Sequence, residues 1–403
     1  HAMAAPAPSK DLVVDWVIDV DTHITEPPDL FSSRLPAKWA DRAPRIHMNE
    51  NGFEEWTVGD SAPITPVGHT ATAGWRDPFP AAPATFAECP QASHDPHARL
   101  TYMDSLAIWA MALYPNVGGF GSQVFLGLKD PDLMLACVQA YNDFLTDWTE
   151  PAPERFIPIT ALPFWDVEQS VAEIERCAKK GHKGILFTGE PHSHGMPVLA
   201  NPHWNPLWEC AQANGLPISF HIGAGNFTGE SFWTPERMEH YGPGAINGVF
   251  ATGLFLDNAK QIVDLLFSGV LARYPELEFI SVESGIGFIP FLLECCDYTF
   301  DYGQVRSQRP EMKMLPSEYF QRQVYACYFF EEYATNHLLD RIPQDNILFE
   351  TDYPHPVCLY GNVREKIDAG LVEAKPEHRS KVLFENAARI YGVDRPDRAP
   401  YLA

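Results

Sequence analysis

The stretch "FISVESGIGFIPF", Phe279 to Phe291, decides how the rest of the chain is read. It starts as a short apolar run with the composition of a buried strand, and it breaks at a Gly-rich turn before a further helical stretch. A carboxylate, Glu283, stands where the strand gives way to the turn. An acid in that place is costly unless other polar groups meet it there.

The same unit recurs on both sides. Upstream, "WVIDVDTHITEPPDL" carries the apolar run Val17, Ile18 and Val20 and stops at Pro27-Pro28. "IWAMALYP", "FIPITALPF", "KGILFTG" and "LPISFHIG" read as further strands, and downstream "FQRQVYACYF" and "NILFETDYP" complete a set of about eight. Helical patterns separate them. "DPHARLTYMDSLAI" has Asp95 as N-cap, "DPDLMLACVQAYNDFLTDWT" is amphipathic, and "DVEQSVAEIERCAKKG" ends at Gly181. "NPLWECAQANG", "GLFLDNAKQIVDLLFSGVLARYP", "EEYATNHLLDRI" and "PEHRSKVLFENAARIYG" follow. Alternating strand and helix implies parallel strands with crossover helices. The first strand lacks a following G-x-G-x-x-G, and the chain has no Walker lysine, so nucleotide-binding doubly wound sheets lose weight against a (β/α)8 TIM barrel.

The expected organisation is a tag remnant and tail over 1–10, one barrel domain over 11–395 and a C-terminal tail over 396–403. Residues 36–97, rich in Pro, Gly, Ala and Trp, read as a long lid-like insertion after the first strand. The 29 basic and 53 acidic residues give a net charge of −24, which repels nucleic acid and anionic membranes. No apolar run approaches the ~20 residues of a membrane span. Eight cysteines without a C-x-x-C pair fit reduced thiols in a cytoplasmic protein. The expected partner is a small-molecule substrate.

A barrel of this kind holds its active site at the carboxyl ends of its strands. Unusual polar residues stand at those ends: Asp21 and His23 on alternate positions of the first strand, His221, Glu283, and Asp352 with His355. Two imidazoles and two carboxylates suit a divalent ion such as Zn²⁺, Mn²⁺ or Fe²⁺. His192 and His194, on the loop after the fourth strand, and Arg237 and His240, in the long loop before a helix, are candidate substrate contacts, as is His355.

These motifs resemble the amidohydrolase superfamily, in the branch around aminocarboxymuconate-semialdehyde decarboxylase known as amidohydrolase family 2. The likeness runs from about Asp15 to Gly392 and rests on "DVDTHITEP", "HARLTYMDSLAI", "HWNPLWECAQANGLPISFH", "YPELEFISVESGIGFIPF", "ILFETDYPH" and "ENAARIYGV". It implies a (β/α)8 barrel with one divalent metal, Zn²⁺ or Mn²⁺, on Asp21, His23, His221 and Asp352. It also implies an enzyme, and a homodimer as the common assembly. One position departs from the pattern: where the family's sixth strand usually ends in histidine, this chain has Glu283.

A free carboxylate there would repel a substrate carboxylate. The first expectation is therefore a metal-dependent hydrolase that attacks an amide, an ester or a carbon–carbon bond beside a ketone. Asp352 would activate a metal-bound water, and Glu283 would pass a proton to the leaving group. The alternative is non-oxidative decarboxylation of an aromatic or unsaturated acid. A non-catalytic binding barrel is the third reading, and a purely structural, hydrogen-bonding Glu283 is the bland one.

Overall fold

Apart from the half-buried Trp109, the barrel strands are buried along their whole length. The computed structural model describes residues 15–61, 64–227 and 233–400, so the tag-like start lies outside the described residues. Strand β1 is Val17–His23. The insertion contributes β2, Arg45–Met48, and β3, Glu54–Thr57, an antiparallel hairpin pairing Arg45 with Thr57. The remaining barrel strands are β4 (Ile108–Tyr114), β5 (Phe156–Thr160), β6 (Gly184–Leu186), β7 (Ile218–His221), β8 (Phe279–Val282), β9 (Val324–Tyr328) and β10 (Ile347–Phe349).

The order β1-β4-β5-β6-β7-β8-β9-β10 is parallel throughout. The first and last strands meet in a parallel bridge between Thr22 and Tyr353. There His23 N donates to Tyr353 O at 2.7 Å, and Asp352 N donates to Asp21 O at 2.9 Å. The seam of the barrel therefore runs through the residues singled out for chemistry. The register of β1 on β4 shifts between Asp19 and Thr22, a bulge of the kind that re-aims side chains beside active sites.

The helices start where short polar side chains cap them. Asp95 accepts from Ala98 N at 2.8 Å and Asp166 from Gln169 N at 3.0 Å, while Asp130 caps Pro131–Thr149. Behind the strands, Phe187 packs edge-on against Trp204 and Trp208, and Trp208 against Phe279, so large rings fill the layer between sheet and helices. Among the described residues no helix is long and apolar enough to cross a membrane.

Two elements differ from the sequence reading. Phe320 to Gln323, read as the start of a strand, end the helix Pro316–Gln323 instead. The Gln323 amide donates to Tyr274 O and Leu277 O, and this tertiary hold overrides the strand-like composition. The second difference is the "loop" carrying Arg237 and His240, which is helical. Pro235–Phe267 is a long helical segment capped by Thr234, two helices joined at a kink where Gly242 is non-helical (φ 74°, ψ 165°) and Pro243 starts the second. Its glycines hid the helical period.

His182 ties two layers together: its ring nitrogens lie 2.8 Å from Thr146 Oγ1, on the helix Pro131–Thr149, and 2.9 Å from Thr160 Oγ1, on β5. Burial lowers its pKa from 6.5 to about 4. The unfolded chain therefore takes up this proton first, and the stabilising contribution is lost as pH falls from about 6.5 to about 4. In urea titrations, His182→Gln is expected to shrink the stability difference between pH 7.5 and 4.5 by about 2–3 kcal/mol.

Candidate metal centre and active site

Four barrel strands deliver their terminal polar side chains to one point. Asp21 Oδ1 lies 3.4 Å from Nε2 of His23 and 3.4 Å from Nε2 of His221. Nε2 of His23 is also 3.3 Å from Asp352 Oδ1, and Nε2 of His221 is 3.3 Å from Glu283 Oε2. The other ring nitrogens are engaged. His23 Nδ1 faces Pro115 O at 3.2 Å and His221 Nδ1 faces Ile222 O at 2.7 Å. A carbonyl only accepts, so Nδ1 carries the hydrogen in both rings, and in the neutral form each Nε2 presents a lone pair to the cluster.

Both carboxylate oxygens of Asp21, with Nε2 of His23 and His221, are buried without a hydrogen-bond partner. Orphaned buried acceptors of this kind fit a divalent cation. Two donor groups close up within 4.8 Å: Asp21, His23, His221 and Glu283 in one, and His23, Asp352 and His355 in the other. The residue types and spacings therefore fit the implied metal.

Electrostatics agree with that fit. Burial, then the charges of His355 and His221, holds His23 well below its usual pKa, so the ring stays neutral. His221 is pulled down by burial but ends raised, because Asp21 and Glu283 face it. Burial and the crowding of like charges push Glu283, Glu350 and Asp352 well above the carboxylate range. Among the described residues no lysine or arginine forms an ion pair with Asp21, Glu283, Glu350 or Asp352, so a bound cation is the natural counter-charge.

The two acids that end β8 and β10 share an unusual backbone. Glu283 has φ 60° and Asp352 φ 61°, the left-handed region that side-chain-bearing residues avoid. Glu283 is held there by its own N–H, which donates to Glu350 Oε2 at 3.0 Å. Glu331 clamps the next turn, accepting from Ile286 N at 2.8 Å and Gly287 N at 2.7 Å. On the other side, Asp19 accepts from Thr351 N at 2.9 Å and from Thr351 Oγ1, fixing the residue before Asp352.

His355 joins the cluster. Its ring stacks on His23 at 3.7 Å, Nδ1 lies 3.0 Å from Asp352 Oδ1, and Nε2 lies 2.7 Å from Asn116 Oδ1. Asn116 Nδ2 donates to Ile24 O and Glu26 Oε2, both at 3.0 Å, which fixes its oxygen toward His355. Above the acids lies a cavity of about 190 Å³ whose walls include Phe79, Phe120, Phe250 and Phe255, with Glu283, Asp352 and His355 at its polar end. Phe79 comes from the insertion, which thus forms part of the wall.

The other sequence candidates lie elsewhere. His194 Nε2 is bound to Ala224 O at 2.7 Å, and His192 is exposed. Arg237 is half-buried and His240 exposed on the long helix, and none of these four lines the cavity. Glu350 and Asp19 were missed. Both stand two residues before a recognised acid, so strand alternation alone puts them on the same face. Asn116 and Phe120 sit in the loop after β4, where no pattern marks them.

A sequence model described as "Amidohydrolase" matches residues 18–393. The chain belongs to the amidohydrolase family. This amidohydrolase is 26% identical over 266 residues to a gamma-resorcylate decarboxylase of Polaromonas sp. (strain JS666), covering 63% of this chain and 76% of that one. Its fold matches an amidohydrolase of Mycobacterium avium subsp. paratuberculosis K-10 with a TM-score of 0.72 at 22% identity, covering 94% of this chain and all of the other. It also matches a 5-carboxyvanillate decarboxylase of Novosphingobium aromaticivorans DSM 12444, solved with manganese and 4-hydroxy-3-methoxy-5-nitrobenzoic acid. There the TM-score is 0.66 at 20% identity, over 97% of this chain and all of that one. The eight-stranded parallel barrel expected from the sequence is the fold of this family.

If the cluster binds a divalent ion, chelation should lower the melting temperature, and Mn²⁺ or Zn²⁺ at a hundredfold over its Kd should restore about 2.7 kcal/mol. Scanning calorimetry of the wild type and of His221→Ala, which should lose the metal response, checks this.

Proposed function

We propose that this amidohydrolase is a metal-dependent, non-oxidative decarboxylase of a monocyclic aromatic acid. The observation that carries the reading is the phenylalanine-walled cavity of about 190 Å³ set directly over Asp352 and His355. A dry apolar cavity of about 150 Å³ takes up benzene, so this one suits a single substituted ring. The names of the relatives, decarboxylases of gamma-resorcylate and 5-carboxyvanillate, favour this reaction over the hydrolysis put first from the sequence.

A divalent ion held among Asp21, His23, His221 and the facing acids would supply the positive charge that draws an anionic substrate into a site otherwise lined with carboxyl groups. Manganese, present in the carboxyvanillate enzyme, is the ion to try first.

The proton is assigned to Asp352. Neutral His355 donates through Nε2 to Asn116 Oδ1, which leaves Nδ1 as an acceptor for a carboxyl proton on Asp352 at 3.0 Å. Burial pushes His355 down to about 4, so the ring is neutral near pH 7. In the reaction, the Asp352 proton moves to the ring carbon bearing the carboxylate. The bond from that carbon to the carboxylate breaks, its electron pair returns to the ring, and CO₂ departs. Asp352 is left ionised and takes a proton from solvent for the next turnover. The phenylalanine walls exclude water from the protonated ring.

Hydroxybenzoates of varied substitution, incubated with the Mn²⁺-loaded protein in D₂O, should release CO₂ and carry one deuterium at the vacated carbon. Asp352→Asn should reduce kcat about 10³-fold. Release of an acid product carrying ¹⁸O from labelled water, without CO₂, would instead establish hydrolysis.

A further inference from the structure

We infer that Glu283 is a direct ligand of the metal, beside Asp21, His23 and His221. This rests on the metal-binding part of the proposal above and not on the reaction assigned there.

The evidence is geometric. Glu283 is among the four donors that all lie within 4.8 Å of one another, and Asp352, 3.3 Å from His23, closes up with His23 and His355. Bonds of about 2.1–2.2 Å from one ion place neighbouring donors about 3.0–3.6 Å apart, depending on the angle between them. The steps from His23 to Asp21, from Asp21 to His221 and from His221 to Glu283 measure 3.4, 3.4 and 3.3 Å. Charge-assisted hydrogen bonds would close to about 2.7–2.9 Å, so these gaps are too wide for a proton to bridge well and right for a shared ion.

The supporting structure points the same way. Glu283 occupies a left-handed backbone conformation, and Glu350 and Glu331 hold it there through the N–H groups of Glu283, Ile286 and Gly287. A side chain needed only for packing has no reason to be aimed at such conformational cost.

The assignment also removes the objection to an acid at this place. A carboxylate bound to the ion spends its charge there and no longer opposes an incoming substrate anion.

Titration of the metal-free protein with Mn²⁺, following the free-ion signal by electron paramagnetic resonance, tests this without any substrate. Glu283→Gln should weaken binding more than about tenfold. Affinity within threefold of wild type in Glu283→Gln overturns the assignment. Crystals of the wild type grown with Mn²⁺ give a readout that does not depend on how the variants fold. An anomalous peak about 2.2 Å from a Glu283 carboxylate oxygen supports the assignment, and a peak beyond about 3 Å refutes it. Either result stands whether or not the protein proves to be a decarboxylase.

Discussion

Two backbone hydrogen bonds across the seam of the barrel, from His23 to Tyr353 and from Asp352 to Asp21, carry the rest of the structure. They close the sheet, and they also fix Asp21 and His23 of the first strand against the eighth-strand acid. Barrel closure and site assembly are therefore one event, and a slip of register at this seam would scatter the donors. The insertion reinforces the same joint: Ala73 N donates to Pro354 O, and Thr25 N to Ser93 O. Arg99, fully buried, donates to the carbonyls of His23 and Ala92 and lies over the Tyr353 ring. A buried cation bonded to carbonyl oxygens holds the strand end, the insertion and the last loop in one place.

Electrostatic strain is the second organising fact. Asp19, Asp21, Glu283, Glu350 and Asp352 are all buried around the carboxyl end of the barrel. Asp19 is raised to about 7, with burial as the main cause. Groups so placed cost stability in proportion to their uncompensated charge, and only a function that uses the charge explains keeping them together. The imidazoles have Nδ1 tied to carbonyls and Nε2 turned inward on the acids, an arrangement that fits a cation among them.

Much of this was legible in the sequence because strand ends obey simple rules. Asp21, His23, His221, Glu283 and Asp352 each follow an apolar run and precede a turn, and the barrel rule then sends them to one face. The same alternation would have found Glu350 and Asp19 had it been applied one step further back. Asn116 and Phe120 were out of reach, since their roles depend on how a loop folds over the site. The long helix was hidden because Gly242, Gly244, Gly248 and Gly253 dilute its periodicity, while its cap at Thr234 and its restart at Pro243 are local signals too weak to outweigh them. Arg237 and His240 were misplaced for that reason. The cavity walls come from the loop after β4, the long helix and the insertion together, so the ring-sized space could be seen only in three dimensions.

The left-handed conformations of Glu283 and Asp352 have a further consequence. Glycine adopts this backbone freely, whereas any side chain costs about 1–2 kcal/mol there. Replacing either acid with glycine would relieve the local strain and remove a buried carboxyl group at once. Folding alone therefore favours glycine at both positions, and each carboxyl group is held in place against its own backbone.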